Sequence, residues 1–122
     1  TIETTSLENV LEGSDFVTLH IPKTGEKAVI GAEEIGLMKT GAGIINTARG
    51  GVIDEDALMF ALDKGKLEYA ALDVFTNEPN PSMYLMMHNS ISLTPHIGAA
   101  TLEAQDRIGA ELADKIITFF NK

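Results

Sequence analysis

A chain of 122 residues, 44% hydrophobic and 22% charged, is the size of one globular domain with a modest core. Its 9 basic against 18 acidic residues, a net charge of −9, repel phosphate backbones and anionic lipid heads, which argues against nucleic acid or a membrane as partner. With no cysteine there is no disulfide framework, and no apolar run approaches the ~20 residues of a membrane span, so a reducing cytoplasm is the simplest home.

Taken in chain order, Thr1-Ile2-Glu3-Thr4-Thr5 has neither an initiator methionine nor the basic-then-apolar order of a signal peptide and reads as a cut edge. Ser6 can cap a helix carrying Leu7, Val10 and Leu11 on one face and ending at Gly13. Phe16 to Ile21 reads as a first strand, and Ile35, Leu37 and Met38 belong to a second short helix after Gly31. Ala42 to Asn46 is a second strand. Gly41-x-Gly43 resembles the opening of a phosphate loop but precedes a strand instead of following one, so it is read as a turn. Asp54 can cap a third helix through Leu58, Ala61 and Leu62, with acidic Glu55 and Asp56 in its first turn and Gly65 at its close. Tyr69 to Val74 is a third strand. Met83 to Asn89 reads as a loop whose methionines plug a core edge and whose His88 is a solvated or packing residue. Ser90 to Thr94 is a fourth strand, and Leu102 to Phe120 a long helix with Ile108, Leu112, Ile116 and Phe119 in one stripe.

The strand segments are near-continuous apolar runs, as expected for strands buried on both faces of a parallel sheet. Strands alternating with helices give the class: α/β, a doubly wound parallel sheet. No repeat, low-complexity tract or composition break marks a second domain.

In such sheets ligands collect outside the carboxyl ends of the strands. The second strand exits into Asn46-Thr47-Ala48-Arg49-Gly50-Gly51, the third into Asp73-Val74-Phe75-Thr76-Asn77-Glu78-Pro79, the fourth into Thr94-Pro95-His96-Ile97-Gly98. Arginine, carboxylate and histidine suit oxidation of an alcohol beside a carboxylate: a guanidinium fork matches the carboxylate, an imidazole takes the hydroxyl proton, and a glutamate orients the imidazole. Spacing alone equally allows Arg49 as half of a surface ion pair, His96 as a structural histidine and Glu78 as a turn residue. His20, His88 and His96 lack metal-ligand spacing, and no metal is expected.

Three of these segments, Asn46 to Asp54, Leu72 to Pro79 and Thr94 to Gly98, together with Leu19-His20-Ile21-Pro22 and Thr24, closely resemble, in order, signatures of the D-2-hydroxyacid dehydrogenase family. The similarity runs from about Ser6 to the C-terminus. It implies a Rossmann-like fold, NAD as cofactor and a small 2-hydroxy or 2-keto acid as substrate. By the same resemblance Arg49 binds the substrate carboxylate, His96 is the acid/base and Glu78 pairs with it. Asp73 contacts the nicotinamide carboxamide, and His20, Pro22, Thr47, Ala48, Arg49, His96, Gly98 and Ala99 line the cofactor pocket. Pro95 to Gln105 is most similar to members acting on D-3-phosphoglycerate, although Ala100 departs from the serine common there.

Family members carry a substrate-binding region and a GxGxxG loop upstream of the segment resembling Ser6, and neither is in this sequence. The resemblance therefore implies residues 1–100 as the second half of a nucleotide-binding domain and 101–122 as its C-terminal crossover helix, in a parent expected to be a dimer. Isolated, the chain is expected to be inactive. Two alternatives remain at this point: another family member, such as a glyoxylate or hydroxypyruvate reductase, or an interaction module similar to the C-terminal-binding-protein corepressors, which keep the fold and the trio.

Overall fold

The computed structural model describes residues 3–121. Thr1-Ile2 of the expected cut edge and Lys122 of the expected C-terminal unit lie outside the described residues. The apolar runs form strands β1 (Phe16–Leu19), β2 (Ala42–Asn46), β3 (Leu67–Leu72) and β4 (Ile91–Leu93), all parallel and ordered β1-β2-β3-β4. Between and around them lie α1 (Leu7–Gly13), α2 (Ala32–Leu37), α3 (Glu55–Asp63), α4 (Met83–Met87) and α5 (Leu102–Phe120). The α/β class and the Rossmann-like parallel sheet are those expected from the sequence.

Local chemistry sets the helix ends. The Ser6 hydroxyl accepts the Asn9 N–H at 3.3 Å, the Asp54 carboxylate the Ala57 N–H at 3.0 Å and the Thr101 hydroxyl the Ala104 N–H at 3.2 Å. Past α3 the chain turns at Gly65, φ +68°, a conformation glycine takes without a Cβ penalty.

Each crossover steps the same way along the sheet, and right-handed connections then place α2, α3 and α4 on one face. Val17, Ile44 and Ala70 lie in register there, as do Leu19, Asn46 and Leu72, and all six are buried. Leu11, Ile35 and Leu58 from α1, α2 and α3 close the same core.

The other face differs from expectation. Phe16 and Tyr69, 68% and 54% exposed, flank Gly43 on it, and only β2 approaches burial on both faces. A strand is buried twice only where both faces are covered, and α5 buries none of its residues. The second layer of a doubly wound sheet is thus not formed among the described residues.

Strand limits also shift. β1 stops at Leu19, leaving Ile21 exposed, while β3 begins at Leu67, which is buried and pairs with Ala42. The expected Met83–Asn89 loop is the helix α4 in its first five residues, because Ser82 caps the Leu85 N–H at 3.3 Å and Leu85, 1% exposed, anchors the turn. Met83, Met86 and Met87 are exposed and do not plug the core edge, a role that Leu85 fills. His88 is the packing residue of the two options, its Nδ1 accepting the Ser90 N–H at 3.1 Å and its Nε2 lying 3.4 Å from Asp63.

Candidate active site

Parallel strands bring all four carboxyl ends to one edge. At the end of β2, Asn46 is 2% exposed and closes its own turn: Oδ1 accepts the Ala48 N–H and Nδ2 donates to the Arg49 carbonyl, each at 3.1 Å. Arg49 is thereby held outward. Its guanidinium donates to the Ala48 carbonyl at 2.6 Å and makes no ion pair with any carboxylate among the described residues, so most of its five N–H donors stay open.

Gly50 ties this turn to the exit of β3. A Cβ at Gly50 would lie 1.9 Å from the Phe75 carbonyl oxygen, so only glycine allows the approach. The Phe75 N–H in turn donates to Glu78 Oε1 at 3.0 Å, and Glu55 in the first turn of α3 accepts both the N–H and the hydroxyl of Thr76, at 2.6 and 2.8 Å. Glu78, followed by a cis peptide to Pro79, presents Oε2 to His96 Nδ1 at 2.7 Å.

The exit of β4 hangs on Asp73, a buried carboxylate whose Oδ1 accepts from the Thr94 hydroxyl at 2.6 Å and the Ile97 N–H at 3.0 Å, and whose Oδ2 accepts from the Gly98 N–H at 3.2 Å. Between those anchors His96 adopts φ +54°, a left-handed conformation unusual for a residue with a side chain.

Burial alone would push Asp73 upward in pKa, but the Thr94 hydroxyl, the two amides and His96 outweigh it and hold it below the ordinary carboxylate range. The His96 hydrogen bond, joined by the Phe75 N–H, likewise holds Glu78 low.

Arg49, Glu78 and His96 line one open cavity of about 500 Å³, so three residues far apart in sequence converge as the chemistry requires. Next to it a cleft of about 290 Å³ is lined by His20, Pro22, Thr47, Ala48 and Arg49. His20 is fixed there by Thr18 and Thr47, at 2.9 and 3.3 Å. The two hollows share Pro22 and Arg49, so a small ring held in the cleft would lie beside the cavity of the trio, and the mixed polar and apolar lining of His20, Pro22, Thr47 and Ala48 fits the nicotinamide end of a dinucleotide. Gly98 belongs to the Asp73 anchor. Ala99, exposed in the turn before α5, lines neither hollow. A larger cavity, about 660 Å³, lies beside α3, is lined by Lys23 together with Glu26, Asp54, Glu55 and Asp56, and contains none of the trio. No cluster among the described residues could hold a metal ion, and no helix is long and apolar enough to cross a membrane.

The sequence alone did not single out Asn46, Glu55 or Lys23, which lies at the mouth of the trio's cavity. Asn46 carried a signal, a turn-forming amide ending an apolar strand. Glu55 carried none, since its partner is 21 residues away and its first-turn position already had an explanation in the helix dipole.

An open parallel sheet with a cleft and a hydrogen-bonded Glu78–His96 pair at the carboxyl ends of its strands is the arrangement of a Rossmann-like unit. A family described as "D-isomer specific 2-hydroxyacid dehydrogenase, NAD binding domain" matches residues 1–98. The chain belongs to this family of NAD-dependent enzymes, and the cofactor of the domain is NAD.

The chain is 44% identical over 118 residues to D-3-phosphoglycerate dehydrogenase 3, chloroplastic, of Arabidopsis thaliana, covering 95% of this chain and 20% of that protein. It is also 44% identical over 119 residues to hydroxypyruvate reductase of Thermotoga maritima, covering 94% of this chain and 39% of that one. Among solved structures, D-lactate dehydrogenase from Aquifex aeolicus, complexed with NAD and lactic acid, superposes with a TM-score of 0.75 at 35% identity, covering 96% of this chain and 40% of that one. The chain thus spans between a fifth and two fifths of these relatives.

Proposed function

We propose that this chain supplies the nicotinamide-side half of an NAD-dependent dehydrogenase that oxidises D-3-phosphoglycerate to 3-phosphohydroxypyruvate, a step toward serine. Residues 1–100 are the second half of its nucleotide-binding domain and 101–122 its crossover helix. The parent is a dimer in the cytoplasm, although one relative is by name chloroplastic. The observation that carries the chemistry is the 2.7 Å contact of Glu78 with His96 Nδ1 in the cavity that Arg49 also lines.

In this reading each group has a task. With Nδ1–H donating to the Glu78 carboxylate, His96 Nε2 is the free acceptor, and it takes the proton of the substrate hydroxyl. Glu78 then stabilises the imidazolium so formed. Arg49 grips the substrate carboxylate bidentately and orients the carbinol carbon toward the cleft. The lining of that cleft would hold the nicotinamide of NAD, which would supply the hydride acceptor. His20, Thr47 and Ala48 shape the cleft, and Asp73 fixes the loop from His96 to Gly98; a cofactor contact of Gly98 and Ala99 is part of this reading through the family resemblance alone. The carboxamide contact expected of Asp73 belongs to this reading, through lone pairs its present partners leave open.

The test is NADH production by the full-length protein with D-3-phosphoglycerate, with Arg49→Ala and Arg49→Lys as controls. Turnover that falls in Arg49→Ala and is only partly recovered in Arg49→Lys is expected, because a point charge does not reproduce a fork. Wild-type protein inert toward every 2-hydroxy acid overturns the reading. Reduction of hydroxypyruvate is the second reading, favoured by the equal identity to the Thermotoga maritima reductase, and faster turnover of hydroxypyruvate than of 3-phosphohydroxypyruvate would select it.

A further inference from the structure

We propose that Lys23 is a specificity-determining residue, the second anchor of the substrate pocket, which grips an anionic group at the end of the 2-hydroxy acid remote from its carboxylate. The inference rests on the reading of Arg49 and His96 as substrate-facing groups and adds the class of substrate.

Lys23 lies in the loop four residues past the end of β1, and its side chain is laid over the turn that carries Arg49. A Cβ at Gly51 would lie 2.7 Å from the Lys23 ammonium nitrogen and 3.1 Å from its Cε, and Gly51 has φ +75°. Glycine at that position therefore does two things: it permits the left-handed turn and it leaves a bed for the ammonium two residues from Arg49. Lys23, Arg49 and His96 line the same 500 Å³ cavity.

Neither cation is neutralised by protein. The ion pairs among the described residues are Lys39–Asp15, His88–Asp63, His96–Glu78 and Lys115–Glu111, and Lys23 and Arg49 take part in none. Among the described residues Lys27, Lys64, Lys66 and Arg107 make no ion pair either, so what sets Lys23 and Arg49 apart is the cavity wall they share. Of the carboxylates around them, Glu78 is taken by His96 and Phe75, Glu55 by Thr76 and Asp54 by the N-terminus of α3, while Glu26 and Asp56 border the neighbouring cavity that Lys23 also lines. A lone surface lysine needs no explanation, but two cations without carboxylate partners on the wall of one cavity, one a planar fork and one a point charge, form a pattern that fits a ligand with two anionic ends. The fork suits a carboxylate and the point charge suits a phosphate or a second carboxylate.

The experiment compares kcat/KM of the full-length protein for D-3-phosphoglycerate, D-malate and D-glycerate, which share the 2-hydroxy acid and differ in the far group: phosphate, carboxylate, none. For Lys23→Met the ratio of kcat/KM for D-3-phosphoglycerate to that for D-glycerate is expected to fall about 10- to 100-fold, mainly through KM, the loss of one charge-assisted contact. Lys23→Arg is expected to restore most of the ratio, and unaltered NADH affinity shows that the variants are folded. A fall confined to D-3-phosphoglycerate assigns the subsite to phosphate; an equal fall with D-malate assigns it to any second anion. A ratio unchanged within twofold in Lys23→Met, or a wild-type ratio near one, overturns the role of Lys23 while leaving 2-hydroxy acid oxidation standing. Absence of turnover with all three overturns the parent reading instead.

Discussion

The short contact between Glu78 and His96 orients the imidazole, and the charge of Glu78 has a use beyond that only if the imidazole becomes charged during the reaction. A carboxylate stabilises an imidazolium, whereas the amide of Glu78→Gln can still accept the Nδ1–H but carries no charge. In the full-length protein this substitution is expected to lower kcat for oxidation by about 10- to 1000-fold with NADH affinity nearly unchanged, the pattern of an interaction made in the transition state. Stopped-flow turnover beside fluorescence titration of NADH measures both, and a parallel loss of the two would make Glu78 a structural residue. His96 supports a second expectation at this scale. Its φ of +54° costs a residue with a Cβ about 1–2 kcal/mol, partly offset in glycine by ~0.5–1 kcal/mol of chain entropy. His96→Gly should therefore be more stable than His96→Ala by ~0.5–1 kcal/mol, although both lose the ion pair and the activity. Urea midpoints of the two variants test this, and alanine equal to or above glycine would mean that the backbone there is unstrained.

Strands, loops and helices hold the site through contacts made between elements. Gly50 is the tightest, with the Phe75 carbonyl where a Cβ would be. Gly50→Ala must separate the Arg49 turn from the loop carrying Glu78, and a destabilisation of ~1–3 kcal/mol is expected, with a larger proportional loss of turnover because both halves of the site move. An alanine variant with wild-type melting and kinetics would contradict the approach. Asp73 does the same for the exit of β4, and its lowered pKa makes that anchor depend on pH. A carboxyl depressed in the folded state adds stability that is fully present above its unfolded value, about 4, and lost as pH falls through the folded one. Asp73 and Glu78 are both depressed, so the melting temperature should decline steadily below about pH 5. Asp73→Asn should flatten that decline, and an unchanged slope would remove Asp73 from the account.

How much of this was legible in the sequence follows from the range of each interaction. Caps, turn glycines and apolar runs act within a few residues, so Ser6, Asp54, Gly65 and the four strands were readable directly. Parallel topology sends every strand exit to one edge, which made Arg49, Glu78 and His96 candidates for one cavity, while the roles given to them came from the resemblance to the family's motifs. The Glu55–Thr76 and Gly50–Phe75 contacts join distant segments and leave no local pattern. α4 reads as a loop in sequence because five residues are too few to show a helical period. The bare face leaves no mark in sequence because an apolar strand looks the same whether or not its cover is present.

At the scale of the whole chain, the cleft proposed for the nicotinamide has no glycine-rich seat for a pyrophosphate beside it among the described residues. Dinucleotide capture rests on a glycine-rich turn after a strand, leading into a helix whose free N–H groups meet the phosphates. The one glycine pair after a strand, Gly50-Gly51, leads into α3, but the N-terminus of α3 is already capped by Asp54 and carries Glu55 and Asp56 in its first turn. α2 opens with Glu33 and Glu34, and α5 with Glu103. Each would repel a dianion, and the net charge of −9 adds a repulsive field. The 122-residue chain alone is therefore expected to bind NADH with a Kd weaker than ~0.1 mM, about 5–6 kcal/mol of binding at most. Its exposed surface bears on how this is measured: Leu112, Ile116 and Phe119 on α5, with Phe16 and Tyr69 on the bare face, leave apolar area that drives self-association. Calorimetric titration with NADH, with light scattering on the same sample, separates the two effects. Weak binding by the monomer supports the account, and micromolar or tighter binding by a monomer shows that Arg49, His20 and the Thr47–Ala48 turn hold the dinucleotide without a phosphate loop.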